Sequence, residues 1–187
     1  MRSKNFDVFA LFPEYPHPSP LTPHPSPLTE IMTLFITTDL LDTVTAEAKA
    51  SPRLRKNRNF HSSDEVVCHR LLNAIEPGSY IMPHRHLDPA KEETMIGLRG
   101  RLAVVLFDDS GAVAETAVLQ PGGPALGVNI PVGTYHLVLA LDTGTVFLEA
   151  KAGPYLPLTA DEKAAWAPAE GEAGAAEYLA RLAALFA

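Results

Sequence analysis

Short apolar runs, each closed by turn-forming residues, recur along much of this chain. VVCHRLLNAI, RLAVVLFDD, AVAETAVLQ, GVNIP, YHLVLAL and TVFLEAK follow one another, with PGS, DDSG, QPGGP, PVGT and DTG among them. Val, Ile, Leu and Phe at this density suit a pleated, half-buried surface, and the runs are short for helices. Their regular spacing predicts a mainly β fold, an antiparallel sandwich or small barrel over residues 53–153.

Helical patterns flank this core. TDLLDTVTAEAKA has a Thr/Asp start at Thr38 and apolar residues at helical spacing, which predicts a short helix in the N-terminal segment 32–52. In the C-terminal extension, 154–187, Tyr178, Leu182 and Leu185 fall at i, i+4 and i+7, with Leu179 and Phe186 widening the stripe. That predicts an amphipathic helix packed on one face or end of the barrel. Ahead of both, PHPSPLT occurs twice in tandem, at 16–22 and 23–29. Proline at this density leaves neither helix donors nor a core-forming face. Residues 1–31 are therefore expected to be a disordered tail, with Met32 as the true start; a proline-rich recognition peptide is the functional alternative.

A chain of 187 residues suits one domain with a real core. Its net charge of -7 argues against nucleic acid as a partner, because phosphate binding needs a cationic face. The single cysteine, Cys68, excludes an internal disulfide and fits a reducing cytoplasm. MRSKNFDVFALF makes a poor signal peptide, since Asp7 interrupts it and prolines stand where a cleavage site would be. No apolar run approaches the roughly 18 to 20 residues that span a bilayer, so no membrane partner is expected. Cys68 and His69 read as core or near-core residues, without zinc-finger spacing to any other Cys or His.

Chemistry concentrates in PHRH, residues 83–86. On an extended chain, residues two apart share a face, so His84 and His86 would project together while Arg85 points away. An HxH pair alone is a weak metal motif. Its surroundings strengthen it: Gly78 precedes, Glu93 follows at an interval of seven, and Gly100 closes the unit at GLRG, where a hairpin is expected. Later, Pro131, Gly133 and His136 form P-x-G-x-x-H leading into another apolar run.

These residues resemble the two signature motifs of the cupin superfamily, approximately G-x5-H-x-H-x3,4-E-x6-G and G-x5-P-x-G-x2-H-x3-N. The interval to Gly100 selects Glu93 over Glu92, although the loop after His86 is longer than the motif allows. In the second motif Ala140 stands at the Asn position and the leading Gly is displaced to Gly127. More specifically, PRLRKNRNFH, RLLNAIEPGSY, PHRH, LRGRLAVVLFDDSG, EAKAGPY and WAP resemble the WbuC family of cupin-fold metalloproteins, from about residue 53 to the C-terminus. The resemblance implies a double-stranded β-helix jelly roll, metal ligands at His84, His86, Glu93 and His136, a homodimer, and a context of surface-polysaccharide metabolism. Mixed nitrogen and oxygen ligation suits one divalent ion among Fe, Mn, Ni, Co and Zn.

Arg53, Arg55, Asn57, Asn59 and His61 fall at strict two-residue intervals. On a strand they would share one face, either lining the cavity mouth to hold an anionic, hydroxyl-rich molecule or blunting a solvent-facing edge. Tyr80 and Met82 share the parity of His84. Tyr80, His61, Glu149 and Lys151 are the candidate acid/base groups, with a surface or structural ion pair as the alternative for Glu149 and Lys151. The expected function is a metal-dependent isomerase, epimerase or dioxygenase acting on a small anionic sugar or nucleotide-sugar derivative. The alternative is a non-enzymatic binding or regulatory protein.

Overall fold

Among the described residues, eight strands form two antiparallel sheets. β1 (Arg55–Asn59), β2 (Cys68–Ile75), β8 (Thr145–Ala152), β3 (Glu93–Arg99) and β6 (Gly127–Ile130) lie side by side in that order; β5 (Val113–Leu119), β4 (Leu102–Phe107) and β7 (Tyr135–Ala140) make the second sheet. The computed structural model describes residues 33–187, of which 36–187 form one compact unit. The tandem-repeat tail, with His17 and His24, lies outside the described residues. The mainly β class expected from the apolar runs, with a helix towards each end, is the class observed.

The turn at GLRG is not the hairpin its spacing suggests. β3 pairs with β6 and β8, whereas β4 pairs with β5 and β7, so the chain crosses between sheets at Gly100. Gly100 has φ +68°, and a Cβ there would lie 2.5 Å from Thr145 Oγ1. Only glycine fits this corner without displacing β8.

β4 and β7 read as near-continuous apolar runs because both of their faces are covered. Leu102, Val104 and Val138 pack with Ile75, Met95 and Phe147 of the larger sheet. Ala103, Val105, Leu137 and Leu139 on the opposite face meet the C-terminal extension. On the far side of the larger sheet, Leu72, Ala74 and Val146 are covered by Leu41, Val44 and Ala48 of α1 (Thr38–Ala50). The Thr37 hydroxyl caps α1 by accepting from Leu40 N at 3.2 Å. Among the described residues, no helix is long and apolar enough to cross a membrane.

α2 (Ala175–Ala183) buries Ala175, Leu179 and Leu182. Leu185, expected on the same stripe, is 52% exposed: it lies in the 3-10 turn Ala184–Phe186, past the residues by which α2 packs on the core. Leu182→Ala is expected to cost about 2–4 kcal/mol in chemical denaturation, as for other buried leucines. Leu185→Ala should stay within about 0.5 kcal/mol of wild type; equal losses would contradict this packing. Cys68 also departs from expectation: it is exposed at the start of β2, while its neighbour His69 is buried on the opposite face.

Candidate metal centre

The segment carrying His84 and His86 is extended but is not a full strand. It is stitched to β7 by two backbone bonds, His84 N to His136 O at 3.1 Å and His136 N to His84 O at 2.9 Å. The loop between β6 and β7 adds a third tie, Gly133 N donating to His86 O at 2.8 Å. Gly133 sits at φ +83°, a left-handed conformation that glycine adopts without strain. These bonds set His84 and His86 beside His136, while Glu93 enters from the first position of β3.

His84, His86, Glu93 and His136 each offer one donor atom, and these four atoms lie within 4.8 Å of one another. Ligands about 2.2 Å from a shared ion span at most ~4.4 Å, so a small inward movement would complete a coordination sphere. Nδ1 of His84 faces Met82 O at 3.1 Å, and Nδ1 of His136 faces Thr134 O at 2.9 Å. A carbonyl only accepts, so both Nδ1 atoms carry the proton and both rings present Nε2 to the centre. Burial, reinforced by His136, lowers His84 to about 3, which keeps it neutral and suited to ligation.

Glu93 is 2% exposed, with Oε1 2.9 Å from His86 Nε2 and Oε2 3.1 Å from His136 Nε2. Burial alone would raise its carboxyl, but the hydrogen bonds from His136 and His86, with the Lys151 charge, hold it well below the usual range. Three imidazoles and an ionised carboxylate fit a divalent first-row metal, which would take the place of the Nε2 protons that join His86 and His136 to Glu93. Glu92, the alternative acid, faces outward, where it accepts from Asn129 Nδ2.

The register of the larger sheet explains what surrounds this cluster. Glu93 pairs across β8 with Lys151, and Lys151 pairs with His69 of β2; Glu149 stands opposite Met95 and Leu71. Directly paired residues share a face. Lys151 Nζ therefore reaches both Glu93 Oε1 and Glu149 Oε1, each at 2.7 Å, and Asn73 Nδ2 donates to Glu149 Oε2 at 2.7 Å. Burial would lower Lys151, but Glu149 and Glu93 raise it above an ordinary lysine. It is a fixed cation and donor rather than a general base. The pair lies within the cup, not on the outer surface. Asn73 went unnoticed in the sequence, although it alternates with the buried Leu71 and Ile75 in CHRLLNAI.

A cavity of about 390 Å³ opens from the cluster, and Arg53, Arg55, Asn57, Asn59 and His61 all line it. The two arginines are not free, however. Glu170 of the C-terminal extension takes Arg53 Nε at 2.9 Å and Arg55 Nη2 at 2.6 Å, and Arg55 Nη1 donates to Tyr80 O at 3.0 Å. They tie the extension to the cup mouth. His61 lies against His69, the rings stacked 4.0 Å apart.

Tyr80 is misplaced by the parity argument. Its hydroxyl donates to Pro168 O at 2.7 Å, its ring meets Tyr178 edge-on, and it packs with Met82 in the core beneath α2. Pro83 breaks the alternation, so Ile81, not Tyr80 or Met82, lines the cavity with His84. Tyr80 is therefore removed from the acid/base candidates.

The profile of a family described as Domain of unknown function (DUF6016) matches residues 36–119, a stretch that contains His84, His86 and Glu93 and stops before His136. No curated protein matches the chain in sequence. Among solved structures, KdgF from Halomonas sp. aligns at 16% identity and TM-score 0.44, over 55% of this chain and 82% of that one. The TT1209 protein from Thermus thermophilus aligns at 20% identity and TM-score 0.43, over 55% and 87%. Oxalate decarboxylase from Lactobacillus farciminis aligns at 21% identity and TM-score 0.41, over 54% of this chain and 28% of that one. Overlap of this extent carries neither a reaction nor a ligand across to this chain.

Proposed function

We propose that this chain is a cupin-type metalloprotein that holds one divalent ion through His84, His86, Glu93 and His136 and acts on a small, oxygen-rich anionic molecule in the adjoining cup. The observation that carries this reading is the convergence of four donor atoms from separate segments at the wall of a cavity large enough for a small metabolite. A bound ion would supply Lewis acidity or redox chemistry, according to whether Fe, Mn, Ni, Co or Zn is present.

The residues beside the cluster favour proton transfer. Glu149 is buried in the cup next to Lys151, an arrangement suited to accepting a proton while the lysine stabilises developing negative charge. Dioxygenation needs no such pair, so isomerisation or epimerisation is the preferred reaction. Asn57, Asn59 and Asn73 supply amides that suit hydroxyl groups. The WbuC resemblance extends the proposal to a sugar or nucleotide-sugar derivative of surface-polysaccharide metabolism, handled by a cytoplasmic homodimer.

Incubation of metal-loaded protein with sugar phosphates and uronates in deuterium oxide, followed by proton NMR, tests this. Solvent deuterium should enter a substrate carbon, stop on metal removal, and slow by about 100-fold or more in Glu149→Gln. Oxygen consumption without exchange would replace this reading with an oxygenase, and a ligand that binds and emerges unchanged would replace it with a binding protein.

A further inference from the structure

A second chamber, of about 560 Å³, adjoins the cluster and is lined by its His84 and His86 together with Lys151. Much of its wall is apolar, supplied by Leu87 and by Leu156, Pro157 and Leu158 of the segment that follows β8. Lys91 also lines this chamber and is only 8% exposed. Its backbone N–H closes a turn on Asp88 O at 2.9 Å. Among the described residues, none of the ion pairs includes its ammonium.

The acids of the same chamber are turned elsewhere. Asp88 Oδ1 accepts from Ala90 N at 2.9 Å, and Glu162 accepts from Leu87 N at 3.1 Å and from Thr159 N at 2.9 Å. Lys151 is already held by two carboxylates. The stem of Lys91 is packed into the chamber wall, while its ammonium has no acceptor among the described residues and stays open to whatever enters the chamber.

We propose that Lys91 is the anion anchor of this chamber, receiving a carboxylate or phosphate whose apolar body lies against Leu87, Leu156 and Leu158. The inference rests on the metal-centre reading for its purpose, because it places the anionic end of the ligand beside the cluster. It also moves anion recognition away from Arg53 and Arg55, which Glu170 already occupies.

Hexanoate is a suitable probe, titrated calorimetrically into the full chain in metal-stripped and metal-loaded forms. Wild type should bind it in both forms, and more tightly than acetate. Lys91→Met should weaken binding at least about tenfold, while Lys91→Arg, which keeps the charge, should stay within about threefold. Hexyl phosphate in place of hexanoate separates the two head groups. If Lys91→Met does not fold, Lys91→Gln carries the same titration. Wild-type affinity in the uncharged variant, binding only to the metal-loaded form, or no binding to wild type at about 10 mM would each overturn the anchor. Lys91-dependent binding by a protein that takes up no metal would leave the anchor standing and remove the metal centre.

Discussion

His136→Ala is expected to leave purification with little bound divalent metal while its far-UV circular dichroism stays β-rich. The imidazole is one of four donors, and loss even of a group that only orients a ligand lowers metal affinity about 10- to 100-fold, so loss of a ligand should exceed the upper figure. The variant should still fold, because the bonds joining residues 84 and 136 are made by backbone atoms that alanine retains. Its cost falls on Glu93, whose Oε2 loses the His136 hydrogen bond at a buried position. One unsatisfied polar contact of this kind is worth about 1–3 kcal/mol. Elemental analysis beside a denaturation curve reads both effects, and full metal occupancy in the variant would end the ligand assignment.

Lys151→Met is expected to act in the opposite direction on metal. Lys151 separates two buried carboxylates, touching Glu93 and Glu149 at 2.7 Å each, with 23% of its own side chain exposed. Methionine keeps much of the stem and removes the charge, leaving the acids to repel each other. Removal of one partner from a buried pair costs about 3–5 kcal/mol, and partial solvation puts this case near ~3 kcal/mol for the metal-stripped protein. A divalent ion on Glu93 supplies the missing positive charge and recovers part of that loss. By linkage, metal affinity must rise by the factor that the ion recovers, tenfold or more for about 1.4 kcal/mol. Melting temperatures with and without chelator should therefore lie further apart in Lys151→Met than in wild type. An unchanged gap would mean that Lys151 and the ion do not share Glu93.

Much of the fold was legible because its strands obey local rules. The apolar runs bounded by Gly, Pro and Asp each contain a strand, and the Thr38–Asp39 start with the following apolar spacing marks α1, although the capping residue is Thr37. Local pattern failed where tertiary contacts decide. Spacing around Gly100 cannot distinguish a hairpin from a corner, since both need a left-handed residue; Thr145 and the pairing of β8 make it a corner. Tyr80 followed an ideal alternation that Pro83 interrupts, and Leu185 followed the helical stripe of α2 beyond the residues that meet the core.

The candidate site was legible to a similar depth. His84, His86, Glu93 and His136 could be picked out by interval, and the structure brings them together. Arg53 and Arg55 fall on the cavity side as their period suggests, yet the partner that engages them, Glu170, is more than a hundred residues away in sequence. Asn73 carries no local signal beyond a polar residue among apolar neighbours, and Lys91 stands in the charged run DPAKEE with nothing to single it out. Their surroundings come from sheet register and from the segment after β8, which no short window of sequence contains.

The most direct test is an anomalous-difference map from a crystal grown with Mn(II). One strong peak per chain is expected, within bonding distance of the imidazoles of His84, His86 and His136 and the carboxylate of Glu93. A peak coordinated by other residues, or none under conditions that load the protein in solution, would contradict the ligand assignment.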